Sequence, residues 1–467
     1  MARIAFVQNL PFEYPGVCAL AGVLLRAGHE VRLFVGMNTA SLARRVAAWR
    51  PLIAGFPLMT GNQAWALRAA RAIRGRWPAH VILGGVHPTF FPEIVREDGV
   101  DAVCRGEGED ALLTLAGRLE RGEGVADIPN LWVKQGGVVH ENPMAPLRQD
   151  LDALPAPDHG LYHRAAPRAQ KIVMTTRGCP FSCTYCHNVG MRELTRGLGT
   201  WFRTRSVGSV MAELREIKAR HHPRSMHFAD DIFGTDVAWL REFSGRYRAE
   251  IGLPFYCMLH LHLVTEESAR LLAEAGCFFV GVGIESGSER VRRELLHRPG
   301  RSEELVRAAG LLRDRGIALR TNNMVGLPGE SLDEMLETLA INQRIQPRDA
   351  VCRFFTPYPG TALARYAVEH GFLDAGSVAA VPATFSKGSL LRSAHAREVR
   401  NLQKLFLPLV RARLPERATR RVLSMPPNPA FEASFFAQMA WHHLTSGERS
   451  LVGAAQDGLA NLALWWM

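Results

Sequence analysis

The segment KIVMTTRGCPFSCTYCHN, residues 171–188, decides the fold and chemistry that the sequence predicts. It opens with an apolar run that is typical of a buried β-strand and continues into a loop with glycine and proline. The loop carries Cys179, Cys183 and Cys186 in the spacing CxxxCxxC. Three thiols therefore directly follow the end of a predicted strand.

Five more apolar runs follow that strand, and helical patterns separate them. They are SMHFA, FYCMLHLH, FFVGVGI, ALRTNN and AVCRFF. Six strand-helix units predict a partial (β/α)6 barrel of the TIM type over residues 166–372, with its chemistry at the carboxyl ends of the strands. The three cysteines lie at such an end.

Residues 1–140 show a second alternating series. The runs RIAFV, EVRLFV, LIAGF, HVILGG and DAVCR predict five strands with helices between them, and NLWVKQGGVVHEN predicts a hairpin that turns at Gly136 and Gly137. Alternating strands and helices favour a doubly wound, Rossmann-like parallel sheet, so the fold class is α/β. The proline-rich residues 141–165 are predicted to be an interdomain linker, and residues 373–467 a helical carboxyl-terminal domain.

Composition excludes several classes of protein. The chain has 467 residues and a formal charge of +11, of which residues 387–467 supply +6. Five of the eight cysteines are isolated in apolar runs, which favours a reducing, cytoplasmic compartment over a secreted disulfide scaffold. The amino terminus lacks a signal-peptide pattern, and no apolar run is long enough for a transmembrane segment.

The cysteine cluster calls for a metal. A structural zinc site normally takes four protein ligands, and no fourth ligand stands at finger spacing because His187 follows Cys186 immediately. Three thiolates suit a 4Fe-4S cluster with one open iron. The residues favour an iron-sulfur cluster over a zinc site, and a zinc site over three buried thiols with no common function.

The motif TTRGCPFSCTYCHN resembles the signature of the radical S-adenosylmethionine (SAM) superfamily. The segments HFADDIFG, GVGIESGSERV, NNMVGLPGES and FTPYPGTAL stand in register with this resemblance. It implies that the cysteines hold the cluster, that SAM binds the open iron, and that cleavage of SAM gives a 5′-deoxyadenosyl radical. By the same resemblance Tyr185 would contact adenine, Asp230 and Asp231 the methionine moiety, and Glu285 the ribose.

The amino-terminal region resembles the cobalamin-binding domain that precedes the barrel in one branch of that superfamily. The matching stretches include LAGVLLRAGHEVRLF, VILGGVHPTFFPE and DAVCRGEGEDALLTLAGRL. The resemblance implies that Gly84 and Gly85 admit a close backbone approach, and that Met59, Thr60 and His87 border the corrinoid. The loop QNLPFEYPG lacks the histidine that ligates cobalt in mutase-type domains, and Pro57 departs from the small polar residue of relatives.

The combination implies a cobalamin-dependent radical SAM methyltransferase that uses a 5′-deoxyadenosyl radical and methylcobalamin. Its target would be an unactivated carbon, or in second place a phosphorus, of a small molecule or lipid intermediate. One alternative is a radical SAM enzyme with the same cofactors and no methyl transfer, such as an oxidative cyclase or a ring-rearranging enzyme. A second alternative is a nucleic-acid-modifying or nucleic-acid-binding protein, which the charge suggests but the lack of interleaved aromatics disfavours.

The expected partners follow from this chemistry. An electron donor such as flavodoxin or ferredoxin would reduce the cluster. The basic carboxyl-terminal residues predict either a solvated helix face or contact with an anionic substrate or membrane surface.

Overall fold

The computed structural model describes residues 1–165, 169–376 and 388–445. The chain divides into two compact units. The first is built from residues 1–168, 191–205 and 219–221, and the second from residues 169–190, 206–218 and 222–467. Among the described residues, no helix combines the length and the apolar character needed to cross a membrane.

The first unit contains a seven-stranded sheet. Its strands are β1 (Arg3–Gln8), β2 (Glu30–Val35), β3 (Ile53–Pro57), β4 (His80–Gly84), β5 (Ala102–Cys104), β6 (Leu131–Gln135) and β7 (Val138–Glu141). The order is β2-β1-β3-β4-β5-β6-β7, with the first five parallel and the last two added as an antiparallel hairpin. The order reverses between β1 and β3, which creates a crevice beyond the carboxyl ends of these two strands.

Helices cover both faces of this sheet. They are α1 (Pro15–Arg26), α2 (Thr39–Trp49), α3 (Gln63–Arg74), α4 (Val86–Phe90), α5 (Glu109–Arg121) and α6 (Gly160–Ala165), with a 3-10 turn at Pro92–Arg96. Apolar side chains of α1 and α5 fill one core, and those of α2 and α3 fill the other. The predicted doubly wound sheet is therefore confirmed.

The predicted hairpin turn also forms between β6 and β7. Gly136 and Gly137 have φ of 59° and 83°, the left-handed backbone that a two-residue turn needs at both positions.

Residues 142–165, within the predicted linker 141–165, pack on the rest of the first unit. His159 Nδ1 lies 3.0 Å from Glu13 Oε1, and the Tyr162 hydroxyl donates a hydrogen bond of 2.8 Å to Gln8 Oε1. The prolines favour extended backbone in the first part of this segment, and its last six residues form α6, which carries Tyr162. The first unit thus extends well past residue 140.

The second unit contains a six-stranded parallel sheet in the order β15-β14-β13-β12-β11-β8. Its strands are β8 (Gln170–Val173), β11 (Ser225–Phe228), β12 (Phe255–Leu259), β13 (Cys277–Glu285), β14 (Ala318–Val325) and β15 (Asp349–Phe354), while β9 (Thr176–Arg177) is a two-residue strand outside this sheet. The two-residue strand β10 (Arg203–Thr204) belongs to the first unit. All six predicted barrel strands are present. β8 and β15 are the two edge strands of the sheet, so the barrel is not closed. The partial barrel is confirmed.

Helices alternate with these strands. They are α7 (His187–Leu194), α8 (Val207–His221), α9 (Val237–Glu250), α10 (Glu266–Ala275), α11 (Ser302–Arg313), α12 (Leu332–Ile345) and α13 (Ala362–Glu369), with a 3-10 turn at Leu261–Leu263 and a π-helical turn at Val291–Leu295. The main core lies between β8 to β14 and helices α8 to α11. This packing fixes the strand ends that carry the polar residues.

The carboxyl-terminal residues are helical, as predicted, but they do not form a separate unit. The helices are α14 (Ala396–Ala412), α15 (Glu416–Leu423) and α16 (Pro429–Thr445). Apolar side chains of α14 and α15 share a core with α12, β14 and β15. Residues 377–387 and 446–467 of the predicted helical domain lie outside the described residues.

Candidate active site

The cysteine loop is anchored at its centre by Thr184. The Thr184 amide donates to Leu296 O at 3.2 Å, and its hydroxyl donates to Leu295 O at 2.6 Å. The Leu363 amide in turn donates to Thr184 O at 3.0 Å. The end of the π-helical turn and the start of α13 therefore hold the loop between Cys183 and Cys186.

The three thiols lie in a common environment. Cys183 is buried, while Cys179 and Cys186 are half-buried. Burial raises the pKa of the Cys179 thiol to about 11, and Asp231 and the other two cysteines add to the increase. Burial also raises the pKa of Cys186. A metal that binds these groups must therefore displace protons from them.

Two side chains donate toward the sulfur atoms. Asn188 Nδ2 lies 3.7 Å from Cys186 Sγ, and Arg298 Nη1 lies 3.7 Å from Cys183 Sγ. Hydrogen bonds of this kind stabilise metal-bound thiolates and tune iron-sulfur clusters. The donor set and its surroundings fit a cluster with three protein ligands.

Asp230 is buried and binds the backbone that leads into the cysteine loop. Its carboxylate accepts hydrogen bonds from the Thr175 amide at 2.7 Å, the Thr175 hydroxyl at 3.1 Å, and both the amide and hydroxyl of Thr176 at 2.6 Å. Burial raises the pKa of Asp230 to about 6, and these four donors oppose the increase. The contacts make Asp230 a structural support of the loop, while contact with SAM stays a prediction.

Asp231 has a different environment from its neighbour. It is exposed, and its charge raises the pKa of Cys179 and Cys186, so it lies close to the thiols. Of the two predicted aspartates, Asp231 is the one with a carboxylate free of the Thr175 and Thr176 contacts. Its contact with SAM stays a prediction.

Tyr185 and Glu285 come together with Arg298. Arg298 Nη1 donates to the Tyr185 hydroxyl at 3.2 Å, and two of its nitrogens donate to Gly283 O at 3.1 and 2.6 Å. Burial raises the pKa of Glu285, while the charge of Arg298 and a hydrogen bond from Tyr185 oppose the increase. The structure therefore joins two predicted SAM contacts through Arg298, an arginine that lies outside the sequence motifs of the predicted site.

The backbone at Glu285 is unusual for a side chain other than glycine. Its φ is +67°, and the pairing of β13 with β14 shifts in register between Gly283 and Glu285. Such bulges redirect a side chain at the end of a strand, and the strained conformation is common at functional sites. A side chain at Gly283 would come too close to the ends of the Glu285 and Arg298 side chains, so both would have to move.

A cavity of about 190 Å³ opens beside this group. Tyr185, Glu285, Asn322, Arg353 and Tyr358 are among the residues that line it. They come from the cysteine loop and from the carboxyl ends of β13, β14 and β15. The cavity thus lies where a barrel of this kind carries its chemistry.

In FYCMLHLH, a strand period of two predicts that Tyr256, Met258, His260 and His262 share one face. The structure shows this arrangement only in part. Tyr256 and Met258 share β12, and the Tyr256 hydroxyl donates to Met258 Sδ at 2.9 Å. His260 is buried and stacks on Phe181 of the cysteine loop with ring centroids 4.3 Å apart. His262 is exposed because the strand ends at Leu259 and a 3-10 turn follows, so the period of two no longer applies to it.

Glu330, in the loop after β14, gives a testable dependence of stability on pH. It is 6% exposed, and it accepts the Leu327 amide at 3.1 Å. Burial raises its pKa to about 8. The folded state therefore binds a proton more tightly than the unfolded state, so the contribution to stability is complete below about pH 4.5 and is lost as the pH rises to about 8.

We expect the unfolding free energy of the wild type to fall by about 2 kcal/mol from pH 6 to pH 8 through this group. The Glu330→Gln variant should lose that part of the slope, because glutamine is uncharged at both values. Melting curves at the two pH values test the prediction, with Glu303→Gln as the control because Glu303 is an exposed carboxylate. Equal slopes in wild type and Glu330→Gln would contradict it.

The predicted cobalamin contacts in the first unit also come together. The Leu58 amide donates to Gly84 O at 2.7 Å, and the His87 amide donates to Leu58 O at 3.2 Å. Thr60 Oγ1 lies 3.1 Å from His87 Nδ1. The loops after β3 and β4 are therefore joined at the carboxyl edge of the sheet.

The glycines and Met59 of this group have separate features. Gly85 has φ of +105°, and a side chain there would meet Leu58 O at 2.7 Å, so the contact between the two loops requires glycine. A side chain at Gly84 would meet only Cys104 Cβ, at 3.8 Å. Met59 is 52% exposed. An exposed apolar side chain beside a small residue suits the approach of a flat ligand, and the contacts themselves stay predictions.

Comparison with known families assigns both units. The family model of the radical SAM superfamily matches residues 173–340, and that of the B12 binding domain matches residues 10–116. The chain carries a radical SAM domain and a B12-binding domain. It is a radical SAM enzyme whose cofactors are a 4Fe-4S cluster, SAM and cobalamin.

Three similar proteins illustrate the range of this group. An uncharacterized methyltransferase of Pyrococcus horikoshii is 28% identical over 370 residues, which span 77% of this chain and 79% of the relative. The anaerobic magnesium-protoporphyrin IX monomethyl ester cyclase of Rubrivivax gelatinosus is 26% identical over 364 residues, or 73% of this chain and 64% of the relative. The structure of the radical SAM methyltransferase TsrM from Kitasatospora setae shares the fold, with a TM-score of 0.67, 21% identity and coverage of 79% and 76% of the two chains.

The residues of the radical SAM domain fit the cluster. Cys179, Cys183 and Cys186 are free thiols, and the amide and guanidinium described above donate toward two of the sulfur atoms. In the B12-binding domain, the loop after β1 contains no histidine of its own. His159 contacts Glu13 of this loop, although the two residues are 146 positions apart in the sequence. No local sequence motif could have predicted this contact.

Proposed function

We propose that this protein is a cobalamin-dependent methyltransferase that acts on an unactivated carbon of a small molecule or lipid intermediate. The observation that carries the proposal is the anchored three-cysteine loop at a barrel mouth in the same chain as a B12-binding domain. The methyltransferase relative that spans most of both chains supports it. A flavodoxin or ferredoxin is the proposed electron donor.

The bound groups supply the chemistry: the cluster and SAM provide a hydrogen-abstracting radical, and cobalamin with a second SAM provides the methyl group. The chain's own residues bind and orient these groups. Cys179, Cys183 and Cys186 hold the cluster, and Thr184 keeps their loop in place. Thr175 and Thr176, fixed by Asp230, set the direction in which the loop leaves β8.

The proposed SAM contacts are Tyr185 for adenine, Glu285 for the ribose hydroxyls and Asp231 for the methionine end. Tyr185 and Glu285 line one cavity, and both lie against Arg298. The proposed cobalamin contacts are Met59, Thr60, Gly84, Gly85 and His87. The hydrogen bonds between the loops after β3 and β4 would hold those groups in one surface.

A second candidate is a radical SAM cyclase with the same cofactors. The similarity of the Rubrivivax gelatinosus cyclase to 73% of this chain supports this second candidate. The products separate the two reactions, since methylation consumes two SAM and cyclisation does not transfer the methyl group of SAM. We expect equal amounts of S-adenosylhomocysteine and 5′-deoxyadenosine per methylated product, as measured by quantitative mass spectrometry with candidate substrates. Turnover of a substrate without S-adenosylhomocysteine would favour the cyclase.

A further inference from the structure

Arg298 lies between the cysteine loop and the end of β13. It follows the π-helical turn Val291–Leu295, and its headgroup is held by five contacts to four different groups. Two nitrogens donate to Gly283 O, at 3.1 and 2.6 Å. A third donates to the Tyr185 hydroxyl at 3.2 Å and lies 3.7 Å from Cys183 Sγ, while the charge also acts on Glu285. The guanidinium is thus fixed in orientation against a cluster ligand.

The charge on this group is permanent. An arginine side chain keeps its proton in proteins, because the guanidinium is far more basic than any other side chain. The Arg298 guanidinium lies within hydrogen-bond distance of Cys183, with Nη1 3.7 Å from Sγ. Arg298 therefore brings a fixed positive charge and an N–H donor to one edge of the cluster site.

Reduction of a 4Fe-4S cluster adds one electron and so increases its negative charge. A nearby positive charge and an N–H donor to a ligand sulfur stabilise the reduced form more than the oxidised form, because the attraction grows with the charge on sulfur. Partial burial strengthens the effect, since solvent screens the pair less. Removal of this charge should therefore make the cluster harder to reduce.

We propose that Arg298 is a positioning residue that raises the reduction potential of the cluster through Cys183 and holds Tyr185 and Glu285 beside it. The electron for reduction comes from the external donor, and no bond to Arg298 is made or broken. This role needs only the cluster at the three cysteines and does not depend on methyl transfer. Its failure would therefore leave the proposed function untouched.

The test measures the midpoint potential of the reconstituted holoprotein by redox titration, with the electron paramagnetic resonance of the reduced cluster as the signal. The series is wild type, Arg298→Lys and Arg298→Gln. Lysine keeps the charge but loses the planar set of donors that reaches Gly283, Tyr185 and Cys183 together, whereas glutamine loses the charge. Iron and sulfide content are determined first, so that only fully loaded protein is compared.

Arg292→Lys is the matched control. Arg292 is 1% exposed and also donates to backbone oxygens, those of Ser286 and Gly287 at 2.8 Å each. It stands six positions before Arg298, and its described contacts include no cysteine. This variant loses a buried guanidinium from the same region without a change at Cys183.

The expected result is a potential that becomes more negative in the order wild type, Arg298→Lys, Arg298→Gln, with Arg292→Lys equal to wild type. If Arg298→Gln does not retain its cluster, the comparison of Arg298→Lys with Arg292→Lys decides the question. A potential of Arg298→Lys equal to that of wild type would then overturn the proposal. Fully loaded Arg298→Gln with the wild-type potential would overturn it as well, and would leave Arg298 a purely structural residue.

Discussion

Replacement of Cys183 by alanine is expected to abolish the formation of 5′-deoxyadenosine. Cys183 is the buried member of the three cysteines and the one that Arg298 approaches. A cluster that loses one of its three protein ligands has a second iron without a protein ligand, so we expect it to assemble poorly or to be lost. Anaerobic reconstitution, iron and sulfide analysis and product quantification with SAM and a strong reductant measure the effect.

Cys277→Ala is the control for this experiment. Cys277 is also a buried free thiol of the second unit, but it begins β13 and so lies at the opposite end of the strand from Glu285. We expect that variant to keep its cluster and its SAM cleavage. SAM cleavage by Cys183→Ala at the wild-type rate would show that the cysteine loop is not the cluster site.

Replacement of Asp230 by alanine is expected to have the largest effect on stability. The variant leaves two amides and two hydroxyls of Thr175 and Thr176 without their acceptor in a buried site. Each buried group without a partner costs about 1–3 kcal/mol, so we expect the unfolding free energy to fall by about 3–5 kcal/mol. The cysteine loop should become less ordered, and the cluster content after reconstitution should fall with it.

The Asp231→Ala variant distinguishes the structural role of Asp230 from a role in cofactor binding. Asp231 is exposed, and a surface substitution of that kind changes stability by about 0.5 kcal/mol or less. We expect the variant to melt like the wild type and to bind SAM more weakly. Denaturant unfolding and SAM titration measure the two effects. An Asp230→Ala protein as stable as Asp231→Ala would contradict the assigned role of Asp230.

The strands could be predicted from sequence because each is a short apolar run bounded by turn residues, as in HVILGG before His87 and FFVGVGI before Glu285. Parallel sheets repeat this pattern, so the two folds followed from it. The cysteine loop could be predicted because its spacing is local. The contacts of residues 141–165 could not be predicted, because proline density indicates extended backbone and does not show whether that backbone packs on a neighbour.

The contacts that orient the site could not be predicted in the same way. Arg298 reaches Cys183 across 115 positions of sequence, and it follows the irregular π-helical turn Val291–Leu295. His159 reaches Glu13 across 146 positions. Such pairs depend on tertiary packing, and the sequence around each of them carries no periodic pattern. The adjacent aspartates likewise differ in environment. Asp230 is buried and bonded to two threonines, whereas Asp231 is exposed.

The most direct test of the central claim is the product pattern of the holoprotein with and without cobalamin. Anaerobically reconstituted protein is given SAM and a strong reductant, and S-adenosylhomocysteine and 5′-deoxyadenosine are quantified together. We predict that cobalamin-loaded protein forms both products and that cobalamin-free protein forms only 5′-deoxyadenosine. Formation of 5′-deoxyadenosine alone by protein that holds one cobalamin per chain would contradict the methyltransferase assignment.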